Sequence, residues 1–363
     1  MKLDDLASPA LLFRESTIES NLDLMVTLAK GADRLRPHVK THKCPEIISR
    51  HLSRGITKFK CATIAEAEMV ARRKAASVIL AKQPVGPDIH RLAHLAREFK
   101  NTEVLGIVDN RETLREIAGV LSGHQQRLGL MVDVDNGMNR TGIRPGDDLL
   151  ELYQEIDANP WTLAAGFHVY DGHLHQPDIE TRRKACQEAL APVLNLKSKI
   201  EEKGLSVPSI VAGGSPTFAI HAANTAVDEC SPGTTVLWDT GYLDHFPDLP
   251  FQPAAYVMTR VISRLSDDSV CVDLGHKAVS ADKPQPRVRF DQFPNAMLEM
   301  HSEEHLVIRS SECRDLNVGD RLIGIPQHVC PTVSLYDFAS ILSDDDDVIG
   351  QWPIEARSRR LSI

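Results

Sequence analysis

The sequence predicts an α/β protein, a (β/α)8 TIM-like barrel followed by a C-terminal, mostly β domain. Its 363 residues exceed the roughly 250–300 residues at which single hydrophobic cores stop growing, so two domains are expected. Between residues 17 and 245, amphipathic stretches alternate with short apolar runs at even intervals, which is typical of βα units in a parallel sheet. From about residue 250, short strand-like runs are separated by turn-forming residues.

Eight apolar runs are the predicted barrel strands, and eight such units close naturally into a barrel. They are Leu35–Lys40, Lys58–Ala62, Ser77–Ala81, Glu103–Val108, Leu128–Val134, Ala164–Tyr170, Ser209–Ala212 and Thr234–Trp238. Apolar residues at helical spacing predict helices at Ile18–Lys30, Ile64–Arg73, Asp88–Lys100, Arg111–Leu121, Asp147–Ile156 and Glu180–Lys203. We therefore predict a barrel over residues 1–245.

Residues 246–363 form the predicted β domain. Its strands are expected at Ala255–Ser263, Ser269–Leu274, His305–Arg309, Arg321–Ile325 and Val348–Trp352. The acidic run Asp344–Asp347 is interpreted as a solvated loop, because it lies among serine and turn-forming residues.

Composition and charge exclude several classes of protein. Hydrophobic residues make up 42% and charged residues 25% of the chain, as in ordinary globular proteins. The formal charge of -9 argues against a nucleic-acid partner. A membrane partner is not expected, because no run of about 18 apolar residues is present, and the N-terminus lacks a signal pattern. A cytoplasmic protein is therefore expected. The seven cysteines lack CxxC spacing, so we expect no disulfide framework.

The first chemical motif is Arg36–Lys43 (RPHVKTHK), where an apolar strand ends in two histidines and two lysines. Side chains at the carboxyl ends of barrel strands face the active site. A lysine there could form an imine with an aldehyde if its pKa is low enough to supply neutral amine. Taken alone, the segment could equally be an exposed basic turn.

Three further turns follow predicted barrel strands or lie at them. Asp135–Gly142 (DNGMNRTG) contains Arg140, which can donate hydrogen bonds to an anionic oxygen. Val211–Thr217 (VAGGSPT) and Cys230–Thr235 (CSPGTT) combine small residues with hydroxyls, and their backbone N–H groups could bind a phosphate. Each turn is weak by itself. Together they match the usual phosphate position of this architecture.

Two histidine-rich segments complete the set of candidates. His328 and Cys330 are separated by one residue, and in an extended segment both side chains would project to one side as ligands suited to zinc. A buried histidine beside a structural cysteine is the alternative. His168–His175 (HVYDGHLH) follows an apolar strand, and its histidine density favours a functional site. Glu303–His305 is a similar but shorter polar cluster.

Six motifs in order carry a resemblance to a known family. RPHVKTHK, GMNRTG, YDGH, AGGSPT, SPGT and HVCPT resemble the D-threonine aldolase and D-serine dehydratase-like family. This family belongs to the fold-type III, or alanine racemase-like, pyridoxal-phosphate enzymes. The match extends from about residue 8 to 352 and favours the functional interpretation of each motif over its alternative.

The resemblance implies a site for pyridoxal 5'-phosphate and one for a divalent metal (zinc, manganese, cobalt or magnesium). Lys40 would be the Schiff-base residue, Arg140 would contact the phenolic oxygen, and Tyr170 would lie near the ring. The implied phosphate residues are Gly213, Gly214, Ser215, Gly233 and Thr234, and His328 with Cys330 would hold the metal. His38 and Thr217 are further candidate cofactor contacts, and His175 joins Lys40 and Tyr170 as a candidate catalytic residue.

One departure from the racemases bears on the chemistry. Racemases carry an arginine before the Pro-Gly turn, facing the pyridine nitrogen, whereas this chain has Ser231. The catalytic tyrosine of the racemases has no recognisable motif in the C-terminal domain, where the metal pair is found instead. Racemisation is therefore the less favoured chemistry.

The resemblance implies a lyase that acts on a small D-amino acid. We favour cleavage of D-β-hydroxy-α-amino acids to glycine and an aldehyde, because segments such as ITKFKCATIAEAEM are similar to aldolase-like bacterial members. A D-serine or 3-hydroxyaspartate dehydratase that releases ammonia remains open, because the same parts would serve it. A non-enzymatic pyridoxal-phosphate homeostasis protein is a further alternative, although those relatives are shorter. The resemblance also implies a homodimer.

Overall fold

The computed structural model describes residues 2–363, which divide into two compact units. The barrel unit comprises Met25–Lys40, Ile47–Gly233 and Ser358–Ile363. Of the described residues, the β unit comprises 2–24, 41–46 and 234–357. The predicted division after residue 245 stays a prediction. The compact units differ from it because they follow packing rather than chain order.

The secondary structure comprises sixteen strands, ten α-helices and five short 3-10 helices within the described range. The strands are β1 Ala10–Arg14, β2 Lys58–Cys61, β3 Ser77–Leu80, β4 Glu103–Val108, β5 Leu128–Asp133, β6 Thr162–Val169, β7 Ile210–Ala212, β8 Glu229–Cys230, β9 Ala255–Ser266, β10 Ser269–Val272, β11 Val288–Arg289, β12 Met297–His301, β13 Leu306–Arg309, β14 Arg321–Pro326, β15 Phe338–Leu342 and β16 Val348–Pro353. The α-helices are α1 Glu15–Ala29, α2 Pro45–Ser53, α3 Ile64–Arg72, α4 Pro87–Glu98, α5 Arg111–Gly123, α6 Asp147–Ala158, α7 Ile179–Glu202, α8 Phe218–Ala222, α9 Thr240–His245 and α10 Val329–Val333. The 3-10 helices are Leu3–Asp5, Ala32–Arg34, Thr234–Val236, Ser311–Asp315 and Glu355–Ser358.

The barrel unit contains seven parallel strands in sequential order from β2 to β8. Two of the helices that follow them begin at side-chain caps: Thr63 accepts the Glu66 N–H at the start of α3, and Asn110 accepts the Thr113 N–H at the start of α5. In α4 and α5 the apolar residues that recur at helical spacing are the ones that are buried, so the pattern that predicts these helices also marks the face that packs against the protein.

Residues 35–39 close the sheet into a ring. The N–H of Arg36 donates to Cys230 O on β8 at 2.8 Å, and the N–H of Val39 donates to Lys60 O on β2 at 2.9 Å. Pro37 has no N–H to donate, so this segment forms isolated bridges rather than a continuous ladder. Counted with this segment, the barrel has eight extended segments, the number that the sequence predicts, and the predicted fold class is confirmed.

The predicted strand Thr234–Trp238 is wrong. Thr234–Val236 is a 3-10 helix, and the last barrel strand is the two-residue β8, ending just before Ser231 and Pro232. The apolar run after Gly233 has the composition of a strand, but its side chains are buried within the β unit rather than in a ladder.

The β unit is built on a nine-stranded sheet with the order β12-β13-β10-β9-β1-β15-β16, while β14 pairs with β9 and β11. Strand β1 pairs antiparallel with β9 and parallel with β15, so the start of the chain is integral to this sheet. Its core includes Val257, Val270, Leu306 and Ile308. The predicted mostly β character is confirmed. Among the helices of residues 2–363, none combines the length and apolar character that a bilayer crossing requires.

Candidate functional site

Three cationic side chains surround the ring of Tyr170, which directly follows β6 at the carboxyl end of the barrel. Lys40 Nζ lies 5.9 Å from the ring centroid, and the guanidinium carbon of Arg140 lies 5.0 Å from it. The third cation is Lys60, whose Nζ is 5.4 Å away. The structure therefore brings together Lys40, Arg140 and Tyr170, as the sequence predicts, and adds a lysine that the prediction missed.

Lys60 could have been found from the pattern of its own strand. In the strand Lys58–Cys61 the lysine at position 60 lies between the buried residues Phe59 and Cys61 and is itself only 2% exposed. A lysine is almost never fully buried without a reason. Burial, reinforced by the charge of Lys40, lowers the pKa of Lys60 to about 7.

The turn after β7 is held by Asp171. Its Oδ1 accepts the Thr217 hydroxyl at 2.8 Å, and Nε2 of His221 lies 2.6 Å from its Oδ2. Thr217 Oγ1 in turn accepts the N–H of Gly214 at 3.0 Å. Since Asp171 is adjacent to Tyr170 in the chain, one buried carboxylate fixes the turn relative to the tyrosine.

The two glycines of this turn act sterically. The N–H of Gly213 donates to Val169 O at 3.0 Å and that of Gly214 donates to Thr217, so both are used inside the protein. A Cβ on Gly213 would lie 2.9 Å from Cδ2 of His221, and one on Gly214 would lie 3.2 Å from Cε2 of Tyr170. Gly213 also has a φ of +83°, which favours glycine. These positions therefore need glycine for close approach rather than for donating hydrogen bonds.

Ser231 supports the fit of a pyridine ring in the barrel unit. Its side chain is 2% exposed, and its Oγ has no hydrogen-bond partner among the described residues. Buried hydroxyls rarely lack a partner, so this oxygen is suited to a ligand atom such as a ring nitrogen. Nearby, the N–H of Gly233 donates to Ser215 Oγ at 3.1 Å and ties the two predicted phosphate turns together. The residues present fit the cofactor.

The two predicted histidines of the barrel unit differ in their surroundings. His38 is half-buried, and its Nδ1 accepts the backbone N–H of Lys40 at 3.3 Å. His175 is exposed on the turn after Asp171. The catalytic role of His175 and the cofactor contact of His38 stay predictions.

The predicted metal pair lies in the β unit, at the start of a helix rather than in the predicted extended segment. His328 is the N-cap residue of α10, and Cys330 lies in its first turn. Asp239 starts the helix, because its Oδ2 accepts the N–H of Val329 at 3.0 Å. This carboxylate is remote in sequence, so the local pattern of alternating residues could not reveal the helical turn.

The surroundings of His328 and Cys330 are anionic. Asp282 Oδ2 lies 2.6 Å from Nδ1 of His328. Burial acts to lower the pKa of His328, but hydrogen bonds and charge from Cys330 and Asp282 raise it to about 9. The thiol of Cys330 is also within 3.2 Å of Thr41 Oγ1 and 3.7 Å of Thr234 Oγ1. An imidazole and a thiol in an anionic setting fit a divalent cation.

A second group of metal-type ligands lies inside the barrel unit. One ligand atom from each of Asp171, Cys186 and His221 lies within 4.8 Å of the others. Asp171 and His221 are already bonded to each other, and burial raises the pKa of Cys186 to about 12, which keeps it a thiol. We therefore interpret this group as part of the support of the turn.

Two family models and several known proteins match this chain. Residues 14–240 match the model of the alanine racemase N-terminal domain, and residues 254–342 match that of the putative serine dehydratase domain. The D-threonine aldolase of an Arthrobacter species is 28% identical over 359 residues, covering 96% of this chain and 92% of the relative. The 3-hydroxy-D-aspartate aldolase of Paracoccus denitrificans (strain Pd 1222) is 24% identical over 371 residues, covering 99% and 94%.

A solved structure extends the similarity to three dimensions. The crystal structure of D-threonine aldolase from Filomicrobium marinum superimposes with a TM-score of 0.92 at 27% identity, covering 99% of this chain and 98% of that one. The first family model alone spans more than half of the chain. The chain therefore belongs to the alanine racemase N-terminal domain family and, within it, to the D-threonine aldolase and D-serine dehydratase-like, fold-type III enzymes, and it is a pyridoxal-phosphate-dependent lyase.

Proposed function

We propose that this lyase is an aldolase that cleaves D-β-hydroxy-α-amino acids to glycine and an aldehyde, using pyridoxal phosphate and a divalent metal. The observation that carries the proposal is the similarity to two D-threonine aldolases, 28% and 27% identical, over nearly the full length of each chain. A small D-configured amino acid is the proposed substrate. A homodimer, which the resemblance implies, is proposed as the assembly.

The barrel unit would hold the cofactor. Pyridoxal phosphate supplies an electron sink for the pair left when a bond to Cα breaks. Lys40 would bind its aldehyde carbon, Arg140 would donate to its phenolic oxygen, and the hydroxyl of Ser231 would donate to the ring nitrogen. Tyr170 would lie against the cofactor ring, because Lys40 and Arg140, which would bind the cofactor, already lie 5.9 and 5.0 Å from the centroid of the Tyr170 ring.

The phosphate would bind at the turns that Asp171 and Ser215 hold together. Asp171 fixes Thr217 and His221, and Ser215 Oγ accepts the N–H of Gly233. These bonds hold the backbone before any ligand arrives, so little reorganisation is needed on binding. Thr234 remains a proposed contact on the basis of the resemblance.

His328 and Cys330 would hold the metal in the β unit. A divalent cation there would supply Lewis acidity toward a hydroxyl oxygen. Asp282 would fix the tautomer and orientation of His328 by its hydrogen bond to Nδ1, a common arrangement for metal-binding histidines. The thiol favours zinc over magnesium, with manganese and cobalt as further candidates.

A related protein supports the metal assignment. Solved structures of the D-threo-3-hydroxyaspartate dehydratase of Delftia sp. HT23 include a histidine-to-alanine variant, and a cysteine-to-alanine variant described as metal-free. In that protein the two replaced residues are separated by one residue, the same spacing as His328 and Cys330. This spacing is also what favours a second candidate function, a dehydratase that releases ammonia from a D-β-hydroxy amino acid.

A comparison of two substrates separates the candidates. Purified holoenzyme with added zinc or manganese is incubated with D-threonine and, separately, with D-serine, and L-threonine serves as the stereochemical control. The aldolase proposal expects acetaldehyde and glycine in equal amounts from D-threonine and none from L-threonine. Pyruvate and ammonia from D-serine, without acetaldehyde from D-threonine, would establish the dehydratase instead.

A further inference from the structure

Lys60 is a second lysine at the barrel mouth, and none of the roles above uses it. It lies on β2, and its side chain is 2% exposed. Its Nζ lies 3.4 Å from Nε2 of His168 on β6. Since β2 and β6 are four strands apart in the ring, the amine reaches across the interior of the barrel. This buried amine has a specific polar partner rather than solvent.

His168 is oriented by a carboxylate on the neighbouring strand. Asp133 and His168 are paired in register between β5 and β6, and Nδ1 of His168 lies 2.7 Å from Asp133 Oδ1. Burial acts to raise the pKa of Asp133, yet its hydrogen bonds with His168 and Thr141 and the charge of Lys60 act against burial and the pKa is lowered, so the group is a carboxylate at neutral pH. Burial, followed by the charge of Lys60, lowers the pKa of His168, so the ring is neutral.

These charge states fix the direction of the hydrogen bonds. A carboxylate can only accept, so Nδ1 of the neutral ring carries the proton and Nε2 carries a lone pair. Lys60 therefore donates one N–H to His168. Nζ of Lys60 also lies 5.4 Å from the centroid of the Tyr170 ring, and Nζ of Lys40 lies 5.9 Å from the same centroid.

The proton on Lys60 is exchangeable at neutral pH. Burial is the main cause of its lowered pKa of about 7, and the positive charges of Lys40 and Arg140 add to it. The negative charges of Asp171 and Asp133 act in the opposite direction. A group with a pKa near the working pH is suited to both give and take a proton during a reaction.

We propose that Lys60 is a second catalytic lysine, which delivers a proton to the α-carbon of the bound amino acid, with His168 and Asp133 as positioning residues. This inference rests on the proposed aldolase function.

Breaking the Cα–Cβ bond releases the aldehyde and leaves an electron pair at Cα. The Lys60 ammonium gives one proton to that carbon, so a C–H bond forms and the amine becomes neutral. The proton that the β-hydroxyl loses restores the ammonium, so the cycle balances.

The test is exchange of the α-protons of glycine, the product of the reaction. Holoenzyme is incubated with glycine in D2O, and proton NMR follows loss of the Cα signal. We expect exchange by the wild type, and at least about a 100-fold slower exchange by Lys60→Met, the typical contribution of a general acid or base. Lys100→Met, a replacement of an exposed lysine, is the matched control and should exchange normally.

A spectroscopic titration tests the same residue without turnover. The absorbance of the holoenzyme imine, followed from pH 5 to 9, should contain a step that comes from Lys60. Lys60→Met should lose this step, and His168→Asn should displace it, because its amide replaces the neutral imidazole beside the amine. A merely structural role for His168 would leave the step at the wild-type pH.

The outcomes separate this inference from the function on which it rests. If the wild type does not exchange glycine protons, the proposed aldolase function fails. If the wild type exchanges and Lys60→Met, with its imine band intact, exchanges equally fast, the role of Lys60 is overturned. Should Lys60→Met lose the cofactor, Lys60→Arg decides: it keeps the positive charge but cannot release its proton. The proposal expects it to bind cofactor without exchange, and wild-type exchange by Lys60→Arg would overturn it.

Discussion

Asp282 Oδ2 lies 2.6 Å from Nδ1 of His328, so the carboxylate engages one ring nitrogen and directs Nε2 as the nitrogen for a ligand. Carboxylates in this position orient metal-binding histidines and increase their basicity. We expect Asp282→Asn to weaken binding of zinc by about 10- to 100-fold, as outer partners of metal ligands generally do. The measurement is a competition titration of metal-free protein against a chelating dye.

The control for this variant is Asp345→Asn, which removes an exposed carboxylate of the same unit. It should bind zinc like the wild type. Equal zinc affinities in Asp282→Asn and Asp345→Asn would show that Asp282 has no part in metal binding.

Asp171 should govern affinity for the cofactor although the resemblance assigns it no contact. Its two oxygens accept from Thr217 and pair with His221, and Thr217 accepts from Gly214. The amide of Asp171→Asn has one acceptor fewer, so one of these bonds is lost. We expect pyridoxal phosphate to bind about 10-fold more weakly, equivalent to about 1.4 kcal/mol. Titration of the apoprotein by fluorescence measures this.

Asp157→Asn, at an exposed position on α6, is the matched control for that measurement. Unchanged cofactor affinity in Asp171→Asn would mean that the turn holds its conformation without the carboxylate.

His51 should make the protein less stable in mild acid. It is 1% exposed, and burial lowers its pKa to about 4. Because the unfolded histidine binds a proton near pH 6.5, acid favours the unfolded state. The stability is therefore fully present above pH 6.5 and is lost as the pH falls toward 4, at about 1.4 kcal/mol per pH unit.

The variant His51→Gln should remove that dependence. From pH 7 to 5, the free energy of unfolding of the wild type should fall by about 2 kcal/mol more than that of His51→Gln. Urea unfolding at the two pH values measures the difference, and His90→Gln, at an exposed position, serves as control. Parallel losses in the wild type and His51→Gln would exclude a buried neutral His51.

The sequence predicts most of the barrel because helix and strand periodicities are local. It misplaces the last strand, since β8 has two residues and the apolar run after Gly233 has better strand composition. It also predicts an extended His328–Cys330 pair, because the cap from Asp239 comes from a distant residue. The partners that give the site its electrostatics, such as Asp282 for His328, are equally distant. Tertiary contacts of this kind leave no periodic pattern.

Lys60 is a site residue that its position in the sequence predicts. Its strand pairs in the ring with the segment of residues 35–39 that precedes Lys40, and the alternation along a strand directs residue 60 inward. Two lysines at one barrel mouth also affect how Lys40 must be tested. A visible imine band that persists in Lys40→Ala could arise from Lys60, so absorbance alone does not identify the bonded lysine.

The most direct test of the account is to identify the lysine that binds pyridoxal phosphate. Holoenzyme is reduced with borohydride, which makes the linkage permanent, and is then digested and mapped by mass spectrometry. We expect the pyridoxyl group on the peptide that contains Lys40, with Lys60 unmodified. A pyridoxyl group on Lys60 or on any other lysine, with Lys40 unmodified, would contradict it.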